Sequence, residues 1–458
     1  MTIGPIRIER PMRRDPKGPG SIGDSVVLIA YHFPPDPAVG SLRAAKVARA
    51  FRAAGHRVDV VTARLPGETG IRVTEDPELL VHPVTLLPNP AEVFLRLKAW
   101  LPPLRWTRPG VTAAARVGWT PPTQVAGWKQ LLFSLLWLPD DRQGFIVPAW
   151  RKARGLVRSG ARLVYSTAPP YSPHLVGLAL RRVVGVRWVM ELRDPWADNG
   201  QKPWWMRTRP TDALDARLER RCLERADLVV TVSEGIRTRL LARLPALDRS
   251  RFVVVRNGIE QLAGSVSLAQ PAGPVRIAYV GTFYYSRDPR PFLRGLAAVC
   301  RKHRMGPEQL RVDFMGACRS VGAISVEKEI DALGLSSIVH IQDWLPHAAA
   351  KALIEEADVL LLLAQQQPDQ VPNKLYEYLG TRRPILAFAD ADGETERMLR
   401  RVGGHHVVTK DDQVEVEHVL EEMLASARRG DRASIDQTAL EEWTTEAQMK
   451  RLLLAVHG

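Results

Sequence analysis

The chain has 458 residues, 45% of them hydrophobic and 25% charged, a globular composition too long for one ordinary core and suited to two domains. Its 64 basic against 50 acidic residues leave a net charge of +14, which points to anionic partners: nucleic acid, anionic lipid or phosphorylated small molecules. The three cysteines, Cys222, Cys300 and Cys318, form no CxxC pair, which argues against a disulfide framework or a zinc site and suits a reducing, cytoplasmic setting.

Residues 1–24 lack the apolar core of a signal peptide and read as a disordered basic tail. From Ser25 short β-branched runs alternate with amphipathic helical segments, the pattern of a parallel sheet with crossover helices. The expected strands are "VVLIAYH", "RVDVVTA", "RLVYSTA", "RWVMELR", "LVVTVS" and "FVVVRN". Between the second and third lies a region rich in Trp, Pro and Arg, residues 70–160, which reads as an elaboration of the first domain. Its greasiest stretch, Trp128 to Leu138, is shorter than the roughly 18 residues a membrane span needs, and is either a core helix or a lipid-touching surface.

A small-residue and proline stretch, "QLAGSVSLAQPAGP", then reads as a linker, and the alternation restarts with "VRIAYVG", "VDFMGA", "VHIQDW", "VLLLLAQ", "PILAFAD" and "HHVVT". The expected layout is a first doubly wound α/β domain over 25–265, a second over 266–440, and a helix over 441–458 that packs back.

In open parallel sheets ligands bind beyond the carboxyl ends of the strands, so the residues just after each strand carry the candidates. After the first strand, Gly40 permits close approach of a ligand and Ser41 fits a helix N-cap; the bland alternative is a plain strand-to-helix turn. After "RLVYSTA", Ser172 fits a cap, Pro173 a first helical position, and His174 an exposed first turn, either as a sugar-binding or acid/base imidazole or as a surface residue. Asp194 at the next strand end either accepts from an acceptor hydroxyl, pairs with Arg193, or caps the following turn. Gly281 and Arg287 follow the first strand of the second domain; they either hold a diphosphate or, for Arg287, pair with Asp288.

The fourth place is "QVPNKLYEYLGTRRPIL", Gln370 to Leu386. Pro372 fits the first position of a short helix and Gly380 its stop, so a phosphate would meet the backbone N–H groups of Asn373 to Leu375 and the Lys374 ammonium. Glu377, one turn deeper, can accept from a ribose diol, and Asp369 lies eight residues before it. The bland alternative is a surface Lys374–Glu377 pair of about 0.2–0.5 kcal/mol. The "DAD" at Asp390 to Asp392 follows a late strand and reads as a turn rather than a metal-binding DxD.

Taken in order, "YHFPPDPAVGSLR", "LPDDRQGFIVPAW", "YSTAPPYSPHLVG", "ELRDPWADN", "RADLVVTVSEGIR", "VVRNGIE", "VGTFYYSRDPR" and "DQVPNKLYEYLGTRRPIL" resemble the family 4 retaining glycosyltransferases, in particular their bacterial cell-surface polysaccharide members, over residues 26–456. The resemblance implies the GT-B architecture, two Rossmann-like domains facing across a cleft. It places Asp369, where Glu is common, by the donor sugar and Glu377 on the nucleotide ribose. Arg287 and Lys374 look like the basic pair on the donor diphosphate, although many members carry a basic pair where this chain has Thr282 and Asp288. Gly40 matches the glycine near the donor phosphate, His174 the residue that reaches the donor sugar, and Asp194 an acid on the acceptor side. The implied reaction moves a sugar from a nucleotide sugar to a lipid-linked or polysaccharide-precursor acceptor at the cytoplasmic membrane face. It proceeds without metal or other cofactor and with retention by front-face attack, leaving-group charge being met by cations and a helix N-terminus. The basic, tryptophan-bearing stretch Leu95 to Trp128 and the apolar run after it would touch anionic membrane.

Other readings on the same residues are a nucleotide-sugar 2-epimerase, with no acceptor, and a catalytically silent nucleotide-binding partner in a glycan-building complex. Nucleic-acid binding is set aside, because no RRM, helix-turn-helix or zinc pattern accompanies the charge.

Overall fold

The computed structural model describes residues 25–94, 127–199, 202, 207–264, 273–409, 412–431 and 434–458. The tail expected over 1–24, the 95–126 stretch and the centre of the linker lie outside the described residues.

The first sheet is built from β1 (Val26–Ile29), β2 (Val58–Ala63), β3 (Arg72–Val73), β4 (Leu79–Val84), β5 (Leu163–Ala168), β6 (Arg187–Leu192), β7 (Leu228–Thr231) and β8 (Phe252–Val254). Their spatial order is β3-β4-β2-β1-β5-β6-β7-β8, parallel throughout except for the antiparallel edge strand β3. Chain order therefore reverses between β1 and β5, which opens a crevice at their carboxyl ends.

The second sheet follows with β9 (Val275–Thr282), β10 (Leu310–Ala317), β13 (Val339–Gln342), β14 (Val359–Ala364), β15 (Ile385–Ala389) and β16 (His406–Val408), after a small hairpin of β11 (Ser320–Val321) and β12 (Ile324–Ser325) within it. Its order is β13-β10-β9-β14-β15-β16, all parallel, with the reversal between β9 and β14. The described strands thus form two doubly wound α/β units, and the α/β, GT-B expectation holds.

Both sheets are covered on two faces, and the period-two alternation of side chains divides each strand between them. In β1, Val27 and Ile29 enter one core while Val26 and Leu28 enter the other. In β14, Val359, Leu361 and Leu363 face one way, and Leu360 and Leu362 the other. This double burial is why the strands read as unbroken apolar runs rather than as alternating ones.

The terminal helix Thr445–His457 returns to the first unit, where Met449, Leu452 and Val456 share a core with Val47 and Phe51 of the Val39–Ala53 helix. On the way it pairs with the crossing segment: Ile259 N donates to Trp443 O at 2.7 Å, and Thr445 N to Ile259 O at 2.8 Å.

Candidate functional site

The carboxyl ends of the two sheets bring first-domain residues against second-domain residues. Gln370 Nε2 donates to Asp194 Oδ1 at 3.0 Å, Ser233 Oγ to the Asp369 carbonyl at 2.5 Å, and Gly235 N to Glu394 Oε1 at 2.7 Å. Gly235 has no room for a side chain, since a Cβ there would lie 2.7 Å from Asp369 Cα. Asp194, which the sequence left between three partners, is engaged by Gln370. Burial pushes its carboxyl above the usual range, while the Arg193 charge and the Gln370 amide pull the other way.

The helix at the fourth candidate place runs Asn373–Thr381. Pro372 is its N-cap rather than its first residue, and Gly380 is not its stop: the left-handed residue that ends it is Arg382, at φ 59°. Gly380 lies inside the helix, where a Cβ would come within 2.5 Å of Gln261 O on the crossing segment, so the missing side chain serves packing. Leu375 is fully buried and its N–H is taken by Pro372 O, whereas Asn373 and Lys374 stay partly exposed at the helix mouth. Lys374 Nζ and Glu377 Oε2 pair at 2.7 Å, both partly exposed. The Asp369 carboxylate pairs with Arg239 of the first domain, a partner the sequence did not suggest.

Across the cleft floor of the second sheet, Gly281 stands in register with Gly316, in the last turns of β9 and β10. A Cβ on Gly316 would collide with Gly281 O at 2.2 Å, so the two strand ends touch backbone to backbone. The Arg287 guanidinium stacks over the Tyr284 ring at 4.7 Å, and its buried Nε has no hydrogen-bond partner. Asp288 does not hold it, being paired with Arg290. Trp344, after β13, leaves 60% of its surface open beside Gly316. Asp390 accepts from Gln366 N at 2.8 Å and Gln367 N at 2.6 Å, fixing the loop before Asp369, so the "DAD" segment is a turn as expected.

In the first domain three local expectations are corrected. Ser41 is no N-cap: the Val39–Ala53 helix starts after Ala38, and Ser41 Oγ donates to Asp36 O at 2.7 Å. Ser172 does not cap either; the Ser172–Val184 helix takes its capping carboxylate from Asp140, which accepts from Ser172 N and Oγ, both at 2.7 Å. His174, expected in an exposed turn, is fully buried, 6.0 Å from Trp196 between ring centroids. Trp188 Nε1 donates to Ser166 Oγ at 2.8 Å, and that hydroxyl lies 2.8 Å from His174 Nδ1. Burial, with the Arg193 charge beside it, pushes the His174 pKa down to about 3, so the ring is neutral near pH 7.

Gly40 is close-packed for a different reason from the one expected. A Cβ there would lie 2.5 Å from Arg193 Nη1, so the guanidinium occupies the space assigned to a ligand.

Sequence reasoning also missed a buried pair. Arg43 Nη2 and Glu191 Oε1 meet at 2.8 Å, Thr167 Oγ1 donates to the other Glu191 oxygen at 2.6 Å, and Arg43 Nη1 reaches Arg256 O at 2.7 Å. The available signal was a glutamate inside the apolar strand "RWVMEL", since a buried charge demands a partner. Among the described residues, no group of three or more His, Cys, Asp or Glu side chains is arranged to hold a metal ion.

The model of the Glycosyl transferase 4-like domain matches residues 40–258. Among solved structures, the sucrose-phosphate synthase of Thermosynechococcus elongatus superposes with a TM-score of 0.61 at 16% identity, over 95% of this chain and 98% of that one. Alr3699/HepE of Anabaena in complex with UDP gives 0.61 at 12% identity, over 95% and 99%, and its complex with UDP-glucose gives 0.58 at 13%, over 94% and 99%. The apo form of the lipopolysaccharide outer core galactosyltransferase WaaB gives 0.55 at 13%, over 94% and 99%. No curated protein sequence matches the chain. At such identities the structural likeness is one of fold.

Proposed function

We propose that this chain, whose residues 40–258 match the Glycosyl transferase 4-like domain and whose fold is shared with glycosyltransferases of the GT-B type, transfers a sugar, with retention, from a nucleoside-diphosphate donor to a lipid-linked or glycan-precursor acceptor at the inner face of a membrane. The observation that carries the reading is the Lys374–Glu377 pair at the mouth of the Asn373–Thr381 helix. A donor diphosphate takes Lys374 and the helix N-terminus, and so frees the Glu377 carboxylate to accept from the ribose hydroxyls. Arg287, with its unpartnered Nε, supplies a second cation, and the exposed Trp344 a stacking face for the base.

In the reaction the bond from the anomeric carbon to the phosphate oxygen breaks and a bond to the acceptor oxygen forms on the same face. The acceptor proton goes to the departing phosphate oxygen. Lys374 and Arg287 meet the charge that develops there, and no metal is required in this scheme. The structure of Alr3699/HepE with UDP and UDP-glucose supports a uridine donor.

The membrane part of the reading rests on the Gly127–Leu136 helix, whose single buried residue is a serine while Trp128 and Leu135 are exposed. Among the described residues no helix is long and apolar enough to cross a membrane, so contact would be peripheral. A hydrolysis screen of UDP, GDP and TDP sugars with the purified protein tests the proposal, since slow donor hydrolysis needs no acceptor. Free nucleotide from none of them would sink it. Failure to bind anionic liposomes at low salt would remove the membrane part.

A further inference from the structure

β9 and β14 flank the point where chain order reverses in the second sheet, and among the described residues their ladder stops at Leu360–Ala278, before either strand ends. Val280 N donates instead to Tyr378 Oη of the Asn373–Thr381 helix, at 3.2 Å. The carboxyl ends of the two strands therefore part, and no backbone ladder ties the loops beyond them to one another.

Two glutamine side chains tie them. Gln365 Nε2 donates to Asp288 O at 2.9 Å, and Gln367 Nε2 to Ser286 O at 3.2 Å. Those two carbonyls flank Arg287 in the chain, so the amides grip the backbone on both sides of that cation. Gln366, between the glutamines, takes a left-handed φ of 57°, which a residue other than glycine adopts where something holds it. The Asp390 carboxylate is that hold, since it accepts from Gln366 N and Gln367 N. The gripped turn is itself closed by Arg287 N, which donates to Tyr284 O at 2.6 Å.

Two atoms of this assembly remain open. Gln365 Oε1 and Arg287 Nε are both buried without a hydrogen-bond partner, and one is an acceptor while the other is a donor. The amide that carries the first is bonded to the residue next to the second.

Resting on the glycosyltransferase reading, we infer that Gln365 and Gln367 are positioning residues for the donor diphosphate. They fix the 284–288 turn across the β9/β14 crevice, and Gln365 Oε1 receives the Arg287 Nε–H when the guanidinium leaves the Tyr284 ring for the phosphates. Neither glutamine touches the donor; both act through Arg287. A cation held in this way meets the diphosphate without first having to order its own loop.

Calorimetry on the full chain tests this. UDP, GDP and TDP are titrated into wild-type protein, and the diphosphate that binds is compared with its own nucleoside in each variant. Gln365→Met and Gln367→Met keep the length of the side chain and lose the amide. Each should weaken the diphosphate roughly 3- to 10-fold and leave the nucleoside unchanged. In an Arg287→Ala background the same substitutions should cost the diphosphate less than about 2-fold, because no guanidinium is left to place. Equal losses for nucleoside and diphosphate, losses that persist without Arg287, or variants that bind like wild type would each overturn the inference and leave the donor reading standing. Wild-type protein that binds none of the three diphosphates overturns both. Should one glutamine variant not fold, the other decides by the same comparison.

Discussion

The amide of Gln370 donates to the carboxylate of Asp194 at 3.0 Å, joining the acid at the end of β6 to the loop before the Asn373–Thr381 helix. Ionised Asp194 is disfavoured by burial and supported by that amide. Gln370→Ala should therefore raise the Asp194 pKa further, because the amide that favours the ionised form is gone. If ionised Asp194 serves the acceptor, the acidic limb of the pH–rate profile moves to higher pH in the variant. An unmoved limb would count Asp194 out of the reaction.

On the proposed reading Lys374 and Glu377, paired with each other in the free protein, meet different parts of a nucleotide. Lys374→Ala should weaken UDP by roughly 10- to 100-fold and leave uridine almost unchanged. Glu377→Ala should weaken UDP and uridine alike. Binding of both ligands by both variants, measured by calorimetry, checks the division; equal losses across all four pairings would make the pair merely structural.

Glu219, 1% exposed, is pushed up to about 7 by burial, against the pull of its ion-pair partner Arg243. The folded state holds this proton to higher pH than the unfolded state does. Its contribution to stability is therefore complete below the ordinary carboxyl value of 4.5 and is lost as pH rises through about 7. Across that window wild-type protein should lose about 1–3 kcal/mol that Glu219→Gln retains. Urea midpoints against pH would show it, and parallel curves for the two proteins would refute it.

Gly380→Ala places a methyl 2.5 Å from a backbone oxygen that no rotamer change can move. A loss of about 1–3 kcal/mol is expected. Because Gln261 O lies on the segment between the domains, the variant should also shift the Asn373–Thr381 helix and weaken UDP. A variant as stable as wild type would mean that the crossing segment yields freely.

The strands of both sheets were legible because double burial leaves unbroken apolar runs, and Val359 to Ala364 is an example. β4 was not, since Pro83 interrupts "LLVHPV"; it is tolerated because β3 pairs only with Leu80 and Val81, leaving Pro83 at an open edge. The limits of the Asn373–Thr381 helix were nearly right, but a glycine near a helix end reads as a stop, and only the fold shows that Gly380 packs against Gln261 O. Asp140 as the cap of the Ser172–Val184 helix, Arg193 against Gly40 and Arg239 on Asp369 link residues far apart in sequence. Local spacing has no access to such contacts. His174 was placed in the correct turn but expected exposed, whereas the fold buries it near Trp196, a contact that local spacing does not reveal.

The Thr445–His457 helix completes a core whose other walls are Val47, Phe51 and β1. During synthesis the first sheet leaves the ribosome with the core beside the Val39–Ala53 helix still lacking its last wall, and the second sheet, whose strands run from Val275 to Val408 in the chain, can close before it. Completion thus runs opposite to translation: the domain made first is finished last. In the interval the nascent chain lacks Met449, Leu452 and Val456, the side chains that complete this core.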